Sequence, residues 1–264
     1  MEVIKASGEK EDFSYKKVYY SILETGASKI LAKETTNLVK KSLYKEITTE
    51  EILKIILKNL KKELGIAEKY NLKRAIMNLG PAGYAFEKYF SEILNAYGYK
   101  TQTGIHIKGK RIIHEVDVLA EKQKKFMIEC KYHNEKGIHT KLQSALAAYA
   151  RFLDLKSHNI HQPWLVTNTK CSKDAVNYAK GVNLRITSWR YPKQESLAKL
   201  IQEKKLYPLT IIFMNENQKK ALLDNKIVTL KSLIETPEKE LSSLTKIPLK
   251  EIIKLKEKAK EIIN

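Results

Sequence analysis

Glu129 and Lys131 lie two positions apart in an apolar run, FMIECKY, and Asp117 lies in the preceding apolar run, IIHEVDVLA. Both runs have the composition of short β-strands, on which side chains two positions apart project from the same face. Two carboxylates beside a lysine can hold a divalent metal ion through oxygen ligands and position a water molecule for attack. The stretch from Arg111 to His133 therefore predicts a metal-dependent hydrolytic centre on two neighbouring strands.

The same alternation assigns the other face of the second strand to the protein core. Phe126, Ile128 and Cys130 fall on that face, so we expect Cys130 to be buried and to have no chemical role. The second cysteine, Cys171, has no partner motif. Two cysteines are too few for a disulfide framework or a four-cysteine zinc site. This cysteine usage predicts a reducing, cytoplasmic location.

The acid–x–Lys spacing is a weak signal by itself, because the chain is rich in lysine. It occurs at four places, which are Glu129–Lys131, Asp154–Lys156, Glu203–Lys205 and Asp224–Lys226. Only the first of these pairs lies in a β-type run that follows another β-type run carrying an acid. The strand context, and not the triplet, carries the prediction.

The net charge of +19 over 264 residues is the strongest feature of the composition. Such an excess of positive charge predicts a polyanionic partner, and double-stranded DNA is the partner that we expect. The alternative is that a genome biased towards lysine codons produces basic proteins without any such partner. No apolar run approaches the roughly 18–20 residues that a membrane span needs. The first residues show no signal-peptide pattern.

Residues 1–79 predict a helical domain that begins with a small β-hairpin. A turn at Ser7-Gly8 follows the first extended residues, and helical segments are predicted at 14–24, 27–44, 49–64 and 71–79. Thr48, with acids soon after it, is typical of a helix start. Gly80-Pro81 closes the segment.

This segment resembles the ATP-cone, the nucleotide-binding regulatory domain of ribonucleotide reductases and of repressors of their genes. The resemblance rests on VIKASGEKEDFSYKKVYYSI, TGASKILA, ITTEEILKIIL and AEKYNLKRAI, which follow one another in the family's order. It implies that ATP or dATP binds as a regulatory ligand. By this resemblance, the residues in contact with the nucleotide are Val3, Ile4, Lys5, Lys16 and Thr48.

One position departs from the ATP-cone pattern. The family usually has Lys-Arg after Val-Ile, whereas here the second basic residue is replaced by Ala6. The missing phosphate contact would weaken nucleotide binding or change the choice of nucleotide. The alternative is a four-helix docking domain that no longer binds nucleotide.

Residues 80–205 predict an α/β unit with the order αβββαβαβ. The helix GYAFEKYFSEILNAYGYK comes first, two strands follow around Gly109, and FMIECKYH is the third strand. An alanine-rich helix at 140–155 is followed by the strand PWLVT, a helix at 174–180 and a strand at 184–188. We therefore expect an α/β sandwich.

This order resembles the PD-(D/E)xK nuclease superfamily, and within it the Mrr-like restriction endonucleases, over residues 81–192. The resemblance rests on AFEKYFSEIL, HEVDVLA, FMIECKYH, LQSALAAYARF and WLVTNTKCS. It implies a deoxyribonuclease that uses Mg²⁺ or Mn²⁺. Its catalytic core would be Asp117, Glu129 and Lys131, joined by Glu87 on the first helix and Gln143 on the alanine-rich helix. The metal ligands would be Asp117, Glu129 and Glu87.

Three histidines, His114, His133 and His139, flank the predicted site. The spacings that are usual in His-metal nucleases are not present among them. We therefore expect His133 to be a polar neighbour of the site or a phosphate contact.

Residues 206–264 predict a small helical module. Its last two helices, 237–244 and 248–263, have the spacing of a helix–hairpin–helix unit, which binds the DNA backbone through amides of the hairpin. The hairpin glycines are replaced by Lys246-Ile247-Pro248, and close approach of backbone to phosphate is harder without glycine. The alternative is a module that serves packing or protein contacts.

These features together predict a metal-dependent DNA endonuclease of a defence or DNA-processing system. Nucleotide binding to the N-terminal domain would change a homo-oligomer, and the oligomer would license cleavage. One alternative is a catalytically silent DNA-binding regulator that senses nucleotides. Another is a structural protein that binds DNA ends or junctions.

Overall fold

The computed structural model describes residues 1–80 and 83–263. Pro81, which belongs to the predicted break, lies outside the described residues. The N-terminal elements are β1 (Glu2–Ile4), β2 (Lys10–Asp12), α1 (Tyr15–Leu23), α2 (Lys29–Lys41), α3 (Thr49–Leu60), α4 (Ile66–Tyr70) and α5 (Leu72–Met77). The strands β1 and β2 form the predicted antiparallel hairpin, and Gly8 takes a φ of +82° in its turn.

Side-chain caps fix where the N-terminal helices begin. Ser14 and Ser28 accept hydrogen bonds from amides in the first turns of α1 and α2. Thr48 forms a complete capping box with Glu51 at the start of α3, which confirms the predicted helix start. The short helix α4 was not predicted, because five residues between Gly65 and the next helix are too few to show a helical period.

The central elements form a five-stranded mixed sheet between helices. They are α6 (Tyr84–Ala96), β3 (Lys100–Lys108), β4 (Ile113–Glu121), β5 (Lys125–Lys131), β6 (His139–Thr140), α7 (Leu142–Leu155), β7 (Gln162–Thr167), β8 (Lys170–Cys171), α8 (Lys173–Gly181), β9 (Arg185–Thr187) and α9 (Leu197–Lys204). The sheet order is β3-β4-β5-β7-β9. The pairs β3–β4 and β4–β5 are antiparallel, whereas β5–β7 and β7–β9 are parallel. This is the predicted mixed α/β architecture.

The two faces of the sheet carry different helices. Phe86 and Phe90 of α6 share a buried cluster with Phe126, Ile128 and Cys130 of β5. The opposite face is covered by α7 and α8, whose buried alanines allow the helices to approach the sheet closely. The predicted burial of Cys130 is therefore confirmed.

Two features of the central unit escaped prediction. The two-residue strands β6 and β8 form a parallel ladder beside the main sheet, pairing His139 with Lys170 and Thr140 with Cys171. Such short strands carry no detectable period. The helix α9 follows the last strand and contributes Leu197 and Ile201 to the core, although the predicted order ended with that strand.

The C-terminal elements are α10 (Glu216–Asp224), α11 (Leu230–Glu235), α12 (Glu238–Thr245) and α13 (Leu249–Ile263). Their buried side chains belong to the same continuous core as α6 and the sheet, as do those of α5. The remaining N-terminal elements have a core of their own. Lys246 takes a left-handed conformation between α12 and α13, where a helix–hairpin–helix would have glycine. Among the described residues, no helix is long and apolar enough to cross a membrane.

Candidate active site

Asp117 lies at the point where β4 separates from β5. The backbone ladder between the two strands ends at the pair Val118–Ile128. Beyond that pair, the Asp117 carboxylate accepts a hydrogen bond of 2.7 Å from the backbone N–H of Cys130. The side chain thus replaces a ladder bond, which fixes one carboxylate oxygen and leaves the other free to bind a ligand.

Glu87 faces this carboxylate from the first turn of α6. Burial raises its pKa to about 7, and the negative charges of Asp117 and Glu115 add to the shift. The pKa of Asp117 is also raised, mainly by burial, against the opposing effects of the Cys130 N–H and Arg151. Partly buried carboxylates whose pKa values are raised by burial and by neighbouring acids create a site where a cation is favoured, so the donor chemistry here fits a hard divalent metal ion.

Glu129 of the candidate site is paired with an arginine. Its carboxylate forms an ion pair with the guanidinium of Arg151 on α7. No three His, Cys, Asp or Glu side chains of the described residues already converge on a point where a metal would fit. Asp117 and Glu87 stay the predicted ligands that are not engaged by Arg151, and Glu129 could join them only by releasing Arg151.

Lys131 is exposed at the end of β5, and its positive charge slightly opposes the rise in the pKa of Asp117 that burial causes. It lies on the same side of the strand as Glu129, since Cys130 between them is buried in the core. Gln143, by contrast, is exposed in the first turn of α7. In the described ranges no hydrogen bond joins Gln143 to the other predicted residues, so its role stays a prediction.

His133 belongs to a polar network behind the site. Its backbone N–H donates to the side-chain oxygen of Asn168 at 2.9 Å, and Asn168 donates back to the His133 carbonyl. Its ring Nε2 lies 3.1 Å from the hydroxyl of Thr140. Burial and the charge of Lys131 lower the pKa of the imidazole. These contacts anchor the loop that leaves β5.

The acids of the other three triplets have structural partners. Asp154 accepts hydrogen bonds from backbone amides of the β3–β4 turn and from His114. Glu203 accepts from the hydroxyl of Tyr97, and Asp224 accepts from the hydroxyl of Tyr84. Strand context therefore separated the candidate site from sequence repeats that hold the fold together.

The residues predicted to bind nucleotide lie around the N-terminal hairpin. The Val3 side chain is buried, and the Ile4 N–H donates to the Ile47 carbonyl at 3.1 Å. The Lys5 ammonium is 2.6 Å from the Glu11 carboxylate. The Thr48 hydroxyl donates to Glu51 at 2.7 Å within the capping box. A triphosphate would have to compete with Glu11 for Lys5.

Lys16 lies in the first turn of α1. It lines a cavity of about 220 Å³ between α1 and α2, together with Tyr20 and Lys33. Lys16 is therefore part of the lining of a basic groove with aromatic walls. This combination suits a nucleotide, because the ring stacks on a base and the lysines attract phosphate.

Comparison with known proteins places these regions in families. Residues 1–78 match the model of the ATP cone domain, residues 81–201 that of a restriction endonuclease domain, and residues 207–263 that of the AF1548-like C-terminal region. An uncharacterized protein of Archaeoglobus fulgidus is 36% identical over 155 residues, which are 58% of this chain and 88% of that protein. The crystal structure of AF1548, a protein of unknown function, matches at 33% identity with a TM-score of 0.63, covering 69% of this chain and 98% of that one.

The chain belongs to the AF1548-like family. It joins an ATP-cone to an Mrr-type restriction endonuclease domain, as the two resemblances in the sequence implied.

The sequence of this AF1548-like chain did not reveal the role of Arg151. We expect Arg151→Gln to bind Mn²⁺ roughly tenfold more tightly, since one opposite charge a few ångströms away commonly shifts such equilibria by that amount. The substitution frees Glu129 and removes a positive charge from the site. Calorimetric titration with Mn²⁺ measures the effect, with Arg111→Gln as control because Arg111 is an exposed arginine of the β3–β4 turn. Unchanged or weaker metal binding by Arg151→Gln would contradict this account of the ion pair.

The raised pKa of Glu87 leads us to expect that metal binding by the AF1548-like protein depends on pH. Because the pKa of Glu87 is raised to about 7, the side chain is largely protonated and neutral below that pH. A proton then competes with the metal, so Mn²⁺ affinity should rise as the pH increases from below to above 7. Glu87→Gln cannot lose a proton and should bind Mn²⁺ more weakly, with a flat profile over this range. The same pH dependence in both proteins would exclude Glu87 as the titrating ligand.

Proposed function

We propose that the protein is a metal-dependent DNA endonuclease whose activity is regulated by a nucleoside triphosphate bound to its ATP-cone. The observation that carries the proposal is the separation of β4 from β5 at Asp117, which opens a carboxylate site beside Glu87 and Lys131. A substrate of DNA agrees with the net charge of +19.

The chain's own residues would divide the work of phosphodiester hydrolysis. When bound, Mg²⁺ supplies positive charge and acidifies a water molecule. Asp117 is oriented by the Cys130 N–H, and Glu87 would join it as a second ligand once it is deprotonated. Lys131 is exposed next to the metal ligands, where its ammonium can orient the attacking water and offset the charge that develops on the phosphate.

Arg151 holds the Glu129 carboxylate in an ion pair that substrate binding could break. Its guanidinium neutralises the Glu129 carboxylate in this ion pair. A DNA phosphate offers the same guanidinium a bidentate partner, so substrate binding can draw Arg151 away from Glu129. The released Glu129 carboxylate would then be available as a further ligand for the metal ion. In this proposal, DNA binding and completion of the metal site occur together.

The ATP-cone contacts the loop that leaves the candidate catalytic strand. A Cβ atom at Gly137 would lie 3.3 Å from the backbone oxygen of Ala6 and 3.3 Å from the amide nitrogen of Ser7, in the turn of the N-terminal hairpin. Lys136 forms an ion pair of 2.7 Å with Glu50 in the first turn of α3. Gly137 lies six positions after Lys131, so a nucleotide that moves the hairpin can move this loop.

Gly137→Ala tests the proposed coupling. The added methyl group meets the hairpin turn, and the φ of +81° at this position is unfavourable for alanine. We expect ATP to change the cleavage rate of the variant less than that of the wild type. The cleavage rate without ATP should stay the same within roughly twofold, which corresponds to a few tenths of a kcal/mol in the activation free energy. Gly181→Ala is the matched control, because a Cβ there meets nothing within 4 Å. An ATP effect of equal size in Gly137→Ala would contradict the coupling.

One experiment separates an enzyme from a silent DNA-binding regulator. Supercoiled plasmid is incubated with the protein and Mg²⁺, with and without ATP or dATP, while light scattering follows the oligomeric state. The proposal expects nicked or linear plasmid, with a rate and an oligomeric state that depend on nucleotide. Salt-dependent DNA binding without cleavage under any of these conditions would favour the silent regulator. The absence of saturable nucleotide binding at millimolar concentration would overturn the regulatory half alone.

A further inference from the structure

The endonuclease domain also contains a basic pocket that is separate from the carboxylate site at Asp117. It is a cavity of about 350 Å³ beyond the carboxyl ends of β7 and β9, lined in part by Lys170, Lys173 and Arg190. The volume suits a small ligand such as a mononucleotide. Neighbouring strands are about 4.8 Å apart, so a pocket at β9 lies on the order of 10 Å from β5, two strands away.

Several positively charged side chains gather around this pocket. Burial lowers the pKa of Lys73 on α5, and the positive charges of Lys170 and Arg190 lower it further. The three side chains are therefore close to one another. The ion pairs formed within residues 1–80 and 83–263 include none of Lys73, Lys170, Lys173 and Arg190. Asp174 is the acid of the first turn of α8, but it does not line the pocket. An anion bound here would relieve the mutual repulsion.

The rest of the lining is suited to the remainder of a nucleotide. Asn177 and Ser188 provide neutral hydrogen-bonding groups, and Val176 and Tyr191 provide an apolar wall. Apolar and aromatic surface with a few polar groups is typical of sites that bind a flat ring. The pocket therefore combines a phosphate-attracting rim with a surface for a base.

We propose that this pocket binds a nucleotide through its phosphate group, held by Lys170 and Arg190. This goes beyond the proposed nuclease centre, which it neither includes nor requires. The same chemistry can come from two sources, a free mononucleotide or the phosphorylated end of a DNA strand. The pocket lies at the carboxyl ends of the parallel strands, where Lys131 ends β5. One DNA strand could therefore reach both the pocket and Lys131.

Cys171 provides a reporter inside the pocket. It lines the cavity and is partly exposed, whereas Cys130 is buried in the core. Alkylation of each cysteine by N-ethylmaleimide can be followed separately by peptide mass spectrometry. Because burial raises the pKa of the Cys171 thiol to about 11, the reaction is slow enough at alkaline pH for its rate to be measured. The rate does not depend on DNA cleavage.

The experiment measures Cys171 alkylation in the full chain with two probes, dAMP and a short oligonucleotide with a 5′-phosphate. At a probe concentration of about ten times Kd, the alkylation rate should fall roughly tenfold. In the double variant K170Q/R190Q, the probe concentration needed for this protection should rise by about tenfold or more, because two charge-assisted contacts are lost. K180Q, with its exposed lysine in the last turn of α8, should behave as the wild type.

Each outcome decides the proposal. Protection by dAMP supports a free mononucleotide as the ligand, and protection by the oligonucleotide alone supports a DNA end. No protection by either probe, or protection that K170Q/R190Q leaves unchanged, overturns the pocket as a phosphate site. Plasmid cleavage measured on the same protein tests the nuclease centre separately, so failure of one proposal is not mistaken for failure of the other.

Discussion

Asp117→Asn should reduce the rate of DNA cleavage by about 10³-fold, since a metal ion contributes several kcal/mol to stabilising the transition state and each 1.36 kcal/mol is a factor of ten. The amide keeps an oxygen that can accept the Cys130 N–H, so the strand junction should persist. It lacks the negative charge that binds Mg²⁺. Single-turnover cleavage of a labelled duplex measures the rate, and calorimetry should show weakened Mn²⁺ binding.

Glu121→Gln is the matched control for Asp117→Asn. Glu121 lies on the same strand, exposed at its far end, and its carboxylate makes a surface contact of 3.9 Å with Lys125. Its removal should leave cleavage unchanged. If Asp117→Asn cleaves at the wild-type rate while its Mn²⁺ affinity is also unchanged, Asp117 is not the metal ligand.

Lys131→Met should reduce cleavage by roughly 10²–10³-fold, the usual effect of removing one charged or hydrogen-bonding group from a transition state. Methionine retains the apolar stem of lysine and removes only its charge. Mn²⁺ binding should therefore be retained, or become slightly tighter, and affinity for duplex DNA should change little. Asp117→Asn thus tests metal binding, whereas Lys131→Met tests the action of the ammonium group on the attacking water and the phosphate.

The control for this variant is Lys125→Met, at the opposite end of β5. Lys125 is half-buried and is not near the carboxylates of the site. It should cleave as fast as the wild type. Equal losses in Lys125→Met and Lys131→Met would indicate a general effect of positive charge on DNA binding, and not a catalytic role for Lys131.

The sequence predicted the site through local rules. The period of two along FMIECKY assigned Glu129 and Lys131 to one face and Cys130 to the core, and the buried clusters confirm this. Thr48 was predicted as a helix start because a capping box involves only neighbouring residues, and it is one. The mixed fold followed from the alternation of helical and strand periods. The nucleotide contacts and the role of Gln143 stay predictions.

The features that escaped prediction depend on tertiary packing. Arg151 reaches Glu129 from 22 positions away, and this depends on how α7 crosses the sheet. The approach of Gly137 to Ala6 joins two loops from different domains. The pocket at Lys170 and Arg190 is formed by segments after two different strands. None of these contacts has a signature in residue spacing, because the spacing within one element does not determine how elements pack.

The central claim is that Asp117, Glu87 and Lys131 form a metal-dependent nuclease centre. The most direct test is conversion of supercoiled plasmid by wild-type protein, Asp117→Asn and Lys131→Met under identical conditions with Mg²⁺. We predict that the wild type produces nicked and linear DNA, that chelation of the metal stops the reaction, and that both variants are nearly inactive although they still bind DNA. Cleavage by both variants at the wild-type rate, or no cleavage by the wild type with any divalent metal ion, would contradict the account.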